Sequence, residues 1–418
     1  MRFTIALLLA APLLAQHDMS HMDHGMAGMD MSGMPGMSDT SEPMQASGTS
    51  MNPADAPMNM IHVQAGRWTL MFHGVAFFSE IQQTGPRGAD KFAGMNWFMT
   101  EASHKAGAGT FSVRSMLSLD PATVTQRRYP ELFQTGETAY GKPIIDGQHP
   151  HDLFMELALE YQRPVGDKGR VWIYAAPVGD PALGPVAFPH RVSAAELPQA
   201  TLGHHLEDST HISNEVVTVG AGHGMFGLEA SGFHGAEPNE NRWNIDHGAI
   251  DSWSGRFTVA PNSRWSGQIS AGRLAHPEAL EPGDQFRTTA SVTYVRPYAR
   301  GHWATSLIWG RVHKIESGAN LNGYGLESVA RFHERDYVTG RIELVDKDEL
   351  FDEGNPLAGR TFRIGAYTAG YTHDFYWLPR IATGLGANFT LYSMPDPVHA
   401  YYGQHPVAAM TFLRFRLR

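Results

Sequence analysis

Residues 151–161 read HDLFMELALEY, and residues 407–418 read VAAMTFLRFRLR. In the first stretch Leu153, Met155, Leu157, Leu159 and Tyr161 take alternate positions, with Asp152, Glu156 and Glu160 between them. In the second, Val407, Ala409, Thr411, Leu413, Phe415 and Leu417 share one face, and Arg414, Arg416 and Arg418 share the other. A helix would scatter these charges around its circumference, whereas a strand, with period two, segregates them. Both stretches are predicted strands with one apolar and one ionic face.

Working outward, about sixteen such runs follow one another from residue 68 to the end. They cover roughly 68–80, 91–104, 109–120, 151–163, 169–178, 213–222, 224–235, 253–260, 264–275, 284–297, 301–313, 323–333, 337–346, 361–377, 380–393 and 406–418. Alternation is weakest over 213–235 and 323–346. The links alternate in length. Short ones such as KAGAG (105–109) and PNSR (261–264) take turns with long ones such as 121–150 and 179–212. Short turns at one end and long loops at the other are expected of a bacterial outer-membrane barrel. Most runs reach the 9–11 residues or so that a tilted strand needs to span a bilayer. Hydrocarbon supplies no partners for backbone N–H and C=O groups, so only a closed ladder serves there. The predicted fold class is therefore all-β, a transmembrane antiparallel β-barrel of about 16 strands, with 12–18 open. A soluble sandwich would use shorter strands, and no repeat of 40–50 residues supports a propeller. The chain ends in Arg418, where such barrels usually end in an aromatic residue.

The faces opposite the apolar ones carry Glu101, Asp152, Glu156, Glu160, Arg170, Glu215, Glu229, Arg287, Glu327, Arg331, Arg341, Glu343, Arg363, Arg414 and Arg416. Mixed charge pointing inward implies either a wet pore or a plugged, salt-bridged lumen. The Pro- and Ala-rich link 179–212 is a candidate for folding inward as a plug. Trp68, Trp172, Trp265, Trp303 and Trp377 lie near the short turns, as an interfacial aromatic girdle would.

Composition excludes several classes. The 418 residues carry a formal charge of −10, which argues against nucleic acid as a partner. With 0 Cys there are no disulfides, thiolate metal sites, Fe–S clusters or cysteine nucleophiles. No phosphate loop, dinucleotide fingerprint or zincin motif is present, and no organic cofactor or enzyme activity is expected.

Residues 1–16, MRFTIALLLAAPLLAQ, read as a secretory signal peptide, with an apolar run too short to span a bilayer. From 17 to 60 the chain lacks Leu, Ile, Val, Phe, Tyr and Trp but holds eleven of the 20 Met. Such a stretch has no set of side chains that could form a core, so 17–66 is read as a disordered Met/His-rich segment and 67–418 as the barrel. Met19, Met22, Met26, Met29, Met31, Met34 and Met37 recur at close spacing among Gly, Ser and Asp, with His21 and His24 between them. Thioether sulfur suits Cu(I) and imidazole suits copper in either state, and a flexible strand can wrap both around one ion. The alternative is a low-complexity linker with incidental Met.

The run HDMSHMDHGMAGMDMSGMPGM resembles the Met/His-rich leader of copper-resistance protein B, an outer-membrane protein of bacterial copper-resistance systems. The resemblance covers about forty residues and implies copper as the ion, with periplasmic copper proteins as possible partners.

The 22 His are several times the usual share, and twelve fall on long loops or strand ends beside them. The densest groups are DGQHPHD, with His149, His151 and Asp152, and LGHHLEDSTHISNE, with His204, His205 and His211. Imidazole with carboxylate is a donor set for Zn or Cu(II), and His149 and His151, two apart, share a face of an extended backbone. Polar packing of loops over the pore mouth is the rival reading. The sequence thus points to an outer-membrane barrel, its tail in the periplasm and its wall against lipid, that binds or passes metal ions. A general porin-like or structural barrel is the first alternative. The second is an outer-membrane lipid hydrolase pairing His211 with Ser209 or Ser213.

Overall fold

The structure, a computed structural model, describes residues 44–57, 59–281 and 283–418. The expected signal peptide at 1–16 and the Met/His donors from Met19 to Met37 lie outside the described residues.

The chain opens with the short pair β1 (Met44–Gln45) and β2 (Met51–Asn52), then β3 (Met60–Ala65). The wall begins with β4 (Trp68–Gln83), β5 (Lys91–Ala106) and β6 (Gly109–Leu117). After α1 (Asp120–Thr123) comes a separate hairpin, β7 (Tyr129–Ala139) and β8 (Lys142–Gln148). The wall resumes with β9 (Phe154–Val165) and β10 (Gly169–Gly179), interrupted by a long insertion carrying α2 (His204–Glu207). It continues through β11 (Ser213–His223), β12 (Phe226–His234), β13 (Ser252–Asn262), β14 (Trp265–Leu274), β15 (Gln285–Tyr298) and β16 (Gly301–Lys314). Last come β17 (Asn320–Phe332), β18 (Asp336–Lys347), β19 (Phe362–Leu378), β20 (Ile381–Ser393), α3 (Asp396–Tyr402) and β21 (Val407–Leu417).

All sixteen runs expected from alternation are spanning strands, and no end differs by more than three residues. The two weakly alternating regions are strands as well. Each wall strand pairs antiparallel with the next, β6 with β9 across the hairpin, and β21 closes on β4. β21 covers only Val75 to Gln83 of β4, and β3 covers the rest, pairing Met60 with His73 and Ala65 with Trp68. The sixteen-residue edge of β4 is thereby paired along nearly all its length, as an edge in hydrocarbon requires.

Burial alternates with the pleat. Along β21, Met410, Phe412, Arg414 and Arg416 are buried in the lumen while Leu413 is exposed. Leu228, Phe257, Ile269, Leu307, Leu326, Ile342 and Leu385 form part of a band of exposed apolar side chains on the outer wall, the surface that meets lipid.

Four expectations need correction. Met155 is buried rather than lipid-facing. β6 pairs Met116 with Glu156 but Leu117 with Phe154, so Met155 is the extra residue of a bulge, and a bulge turns neighbouring side chains to one face. Trp172 leaves the girdle for the lumen, where its Nε1 donates to Glu229 at 3.1 Å. Trp265, Trp303 and Trp377 are exposed as expected. Arg363 is half-exposed beside Asp346 instead of lying inside. The fourth concerns 17–66, whose described part is ordered. Ser47, Thr49, Ser50 and Asn52 are buried within the barrel. Ser47 Oγ donates to Asp180 at 2.7 Å, Gly48 N to Glu156 at 3.2 Å, and Arg256 to Thr49 at 2.9 Å. A segment this poor in large apolar side chains cannot build its own core, but its hydroxyl and amide groups can satisfy the polar lining of another.

Gly48 sets how closely this segment approaches. Its φ is +54°, and a Cβ there would lie 2.3 Å from the Asp180 carbonyl oxygen. Gly48→Val is expected to expel the segment at a cost of about 1–3 kcal/mol. Limited proteolysis of the purified barrel checks this: cleavage within 44–57 should appear in the variant, and full protection would refute the packing argument.

Candidate functional site

The insertion between β10 and β11, residues 180–212, folds into the lumen as its composition suggested. Phe188, Arg191, Ser193, Ala200 and Leu202 are all buried. Charge anchors it. Arg191 Nε donates to Glu327 at 2.7 Å and Nη1 to Asp208 at 3.1 Å. Arg341 also reaches Glu327, at 3.0 Å, and the carbonyl of Ala200, at 2.9 Å. Glu196 accepts from Arg416 at 2.8 Å and from Arg414, which also binds Asp374. Part of the wall's ionic face therefore grips the insertion, while Glu101, Glu156 and Glu160 pair with Arg114, and Glu229 with Arg256, within the wall itself. α2 lies against the wall at Gly310, where a Cβ would be 2.1 Å from the Leu206 carbonyl oxygen. Above it, Leu132, Phe133, Leu202, Leu206, Leu350 and Tyr402 gather into an apolar cap at the long-loop end.

Two segments meet beneath this cap, 149–152 just before β9 and 204–211 just before β11. They bring together His149, His204 and His205, all buried, with one ring nitrogen from each within 4.8 Å of the others. His211 lies beside them, its ring centroid 5.3 Å from His204, and His151 is 5.6 Å from His211.

Four of these five rings have Nδ1 engaged. His149 Nδ1 donates to the Pro150 carbonyl at 3.1 Å and His211 Nδ1 to the Asp208 carbonyl at 2.8 Å. His204 Nδ1 lies 2.6 Å from the Asp208 carboxylate and His151 Nδ1 2.9 Å from that of Asp120. A carbonyl can only accept, so each ring bound to one carries its proton on Nδ1 and presents Nε2 as a bare lone pair. Carboxylate or carbonyl behind the ring is the arrangement that orients metal-binding histidines. His149 Nε2, His211 Nε2 and both nitrogens of His205 have no hydrogen-bond partner. Leaving such a group buried and unpaired costs about 1–3 kcal/mol each. His149 Nε2 also faces Glu137 Oε1 at 3.0 Å, and a lone pair facing a carboxylate oxygen repels unless a proton or cation lies between.

Burial holds these rings neutral. It pushes His205 and His211 down to about 3, the former helped by Lys347 and the latter by His204. His149 is held well below its ordinary value by burial and then by His205 and His204, and His204 is lowered by burial too. A neutral imidazole is the form that binds a metal. In a tetrahedral site with metal–nitrogen bonds near 2.0–2.1 Å the donor atoms stand about 3.3 Å apart. The 4.8 Å envelope is wider, so the rings would draw in slightly around an ion.

Of the loop residues singled out in the sequence, His149, His204 and His205 converge. His151 and His211 form the next layer. Asp152 does not join: its carboxylate accepts from Arg242 at 3.1 Å. The serine–histidine pairing also fails. Ser213 Oγ donates to the Thr210 carbonyl at 2.9 Å, Ser209 Oγ is bound by Arg287, and His211 Nδ1 turns to Asp208. Asp208, Asp120 and Glu137 were missed as positioning groups. The spacing of His204 and Asp208, four apart, could have suggested a shared helical face, while nothing local links Asp120 to His151 or Glu137 to His149.

A closed antiparallel barrel of sixteen spanning strands, with a long insertion narrowing its lumen, has the porin architecture. The anion-selective porin of Comamonas acidovorans superposes with a TM-score of 0.52 at 11% identity, over 84% of this chain and 100% of that one. OmpF of Salmonella typhi, solved with daunomycin, gives 0.50 at 9% identity, over 85% of this chain and 100% of that one. OprB of Pseudomonas putida, at high pH, gives 0.50 at 10% identity, over 84% and 94%. Identities this low establish the shared fold alone. No family model and no curated protein matches the chain.

Proposed function

We propose that this chain is a bacterial outer-membrane barrel that binds or passes transition-metal ions, with copper as its first substrate. The observation that carries the reading is the convergence of His149, His204 and His205, all buried, with one ring nitrogen from each within 4.8 Å of the others. Both nitrogens of His205 and Nε2 of His211 are buried without a hydrogen-bond partner, which leaves them available to an ion. The Met/His run from Met19 to Met37 supports copper by ligand softness, as does its resemblance to the copper-resistance leader. Sixteen strands put both ends of the barrel on the short-turn side, which faces the periplasm in barrels of this kind. The tail would then collect ions there, from periplasmic copper proteins or from solution, and the lumen would hold them.

Purified full-length protein is expected to bind Cu(II) at the lumen cluster and Cu(I) at the tail, both tighter than about micromolar. Removing 17–43 should abolish most Cu(I) binding and leave the Cu(II) site. A protein that holds neither ion at that strength would overturn the proposal. The general porin alternative, which the sixteen-strand barrel fits equally well, predicts steady, metal-independent conductance in planar bilayers.

A further inference from the structure

A partly open cavity of about 980 Å³ lies between residues 188–198 of the insertion and the wall. His302, Arg331, Tyr337 and Arg416 border it, each second from the short-turn end of its strand, so the cavity lies toward that end of the barrel. Of the five clustered histidines only His151 borders it. The rest of the lining is largely apolar and aromatic, with Phe77, Trp97, Phe188, Val192 and Leu197. These walls are fixed in place. Asn52 Nδ2 donates to the His190 carbonyl at 3.0 Å, and Val192 N donates back to Asn52 Oδ1 at 3.4 Å. Trp97 is wedged between two imidazoles, its ring centroid 4.3 Å from His190 and 4.7 Å from His73.

The charges around this cavity do not cancel. Arg414 and Arg416 share the carboxylates of Glu196 and Asp374, two against two. Arg331 is held by the Tyr376 hydroxyl at 2.9 Å and by the Glu334 carbonyl, both uncharged acceptors, and among the described residues it has no carboxylate partner. The guanidinium carbons of Arg331 and Arg416 stand over one ring, 5.5 and 5.3 Å from the Tyr337 centroid. The Nε of each is buried without a hydrogen-bond partner, and Arg416 as a whole is 6% exposed. His190, 9% exposed, has neither ring nitrogen paired. A guanidinium N–H can only donate, and the group has no lone pair for a metal. The pair therefore repels a cation and calls for an acceptor that carries negative charge.

We propose that this cavity binds a small amphipathic organic acid, its carboxylate at Arg331 and Arg416 and its apolar body against Trp97 and Phe188. Charge selects one end of the ligand and the aromatic lining selects the other, the usual division in a small-molecule site. An inorganic anion would satisfy the arginines and leave the apolar wall wet. An uncharged apolar molecule would cover the wall and leave the buried Nε–H donors unpaired, which is costly. His190, as a neutral ring, adds one further N–H beside the ligand. The site is separate from the metal function proposed above and does not depend on it.

The test is equilibrium dialysis of full-length protein in detergent against radiolabelled phenylacetate, with phenethylamine and inorganic phosphate as comparison probes and protein-free micelles as the blank. Wild type is expected to bind phenylacetate saturably, tighter than about 1 mM. Phenethylamine, of similar shape and opposite charge, and phosphate, an anion without an apolar body, should each bind at least about tenfold more weakly. Arg331→Gln removes the uncompensated charge and should weaken phenylacetate by at least about tenfold. Trp97→Leu should weaken it too, and decides the matter if Arg331→Gln loses heat-modifiable migration. No saturable binding of phenylacetate by wild type overturns the site, as does an affinity that neither substitution changes. Equal affinity for phenethylamine overturns the role of the arginines. Phosphate held as tightly as phenylacetate overturns the organic acid and leaves a simple anion site in its place.

Discussion

Glu327→Gln is expected to destabilise the seating of the inserted loop by about 3–5 kcal/mol, the usual cost of removing one member of a buried ion pair. Glu327 is fully buried and accepts from Arg191 Nε at 2.7 Å, Arg191 Nη2 at 3.1 Å, Arg341 Nε at 3.0 Å and Ser193 Oγ at 3.1 Å. An amide keeps the volume and deletes the charge, leaving two buried guanidinium groups short of their counter-ion. The pair between Arg264 and Asp55 makes the contrast. It is 3.5 Å long with the arginine about half-exposed, and its loss should cost under about 1 kcal/mol. Glu327 joins the wall ladder through its backbone alone, so the barrel should persist without its carboxylate charge while the loop loosens. Planar-bilayer recording should show a larger and noisier conductance than wild type. Wild-type conductance in the variant would show that apolar packing, not charge, holds the insertion.

The second large effect is at the histidine cluster. In protein lacking 17–43, His204→Ala should weaken Cu(II) binding by at least about 100-fold, since even loss of an outer-layer partner costs roughly 10–100-fold. Asp208→Asn tests that outer layer directly. The Asp208 carboxylate receives His204 Nδ1 at 2.6 Å and, with Arg191 and Glu327, ties the ring to the ion-paired anchor. It should fall in the roughly 10–100-fold range, with Cu(II) electron paramagnetic resonance reporting altered nitrogen coordination. Equal affinity in wild type and His204→Ala would remove this residue from the binding set.

Much of the wall could be read from residue order alone. Phe412, Leu413 and Arg414 alternate between lumen and lipid face as period two demands. The failures occur where period two breaks locally. The bulge at Met155 adds one residue that no composition rule announces, and Trp172 is drawn inward by Glu229 on β12. The site was legible only as two His-rich stretches. That His149 would meet His204 and His205 while Asp152 turned to Arg242 depended on segments more than fifty residues apart folding into one lumen. The pairing of Arg191 with Glu327, 136 positions away, left no local trace either.

The amino-acid order by itself determined that this chain forms a barrel wall, because strand pleating and the absence of water in hydrocarbon act residue by residue. It also supplied imidazole and thioether donors, whose softness belongs to the side chain, without fixing the ion. Only the tertiary structure decided what fills the interior. Burial of so many charges is tolerable only with partners supplied from elsewhere. The insertion at 180–212 and the segment at 44–57 supply many of those partners, because their backbone and polar side chains reach charges that the wall alone leaves short.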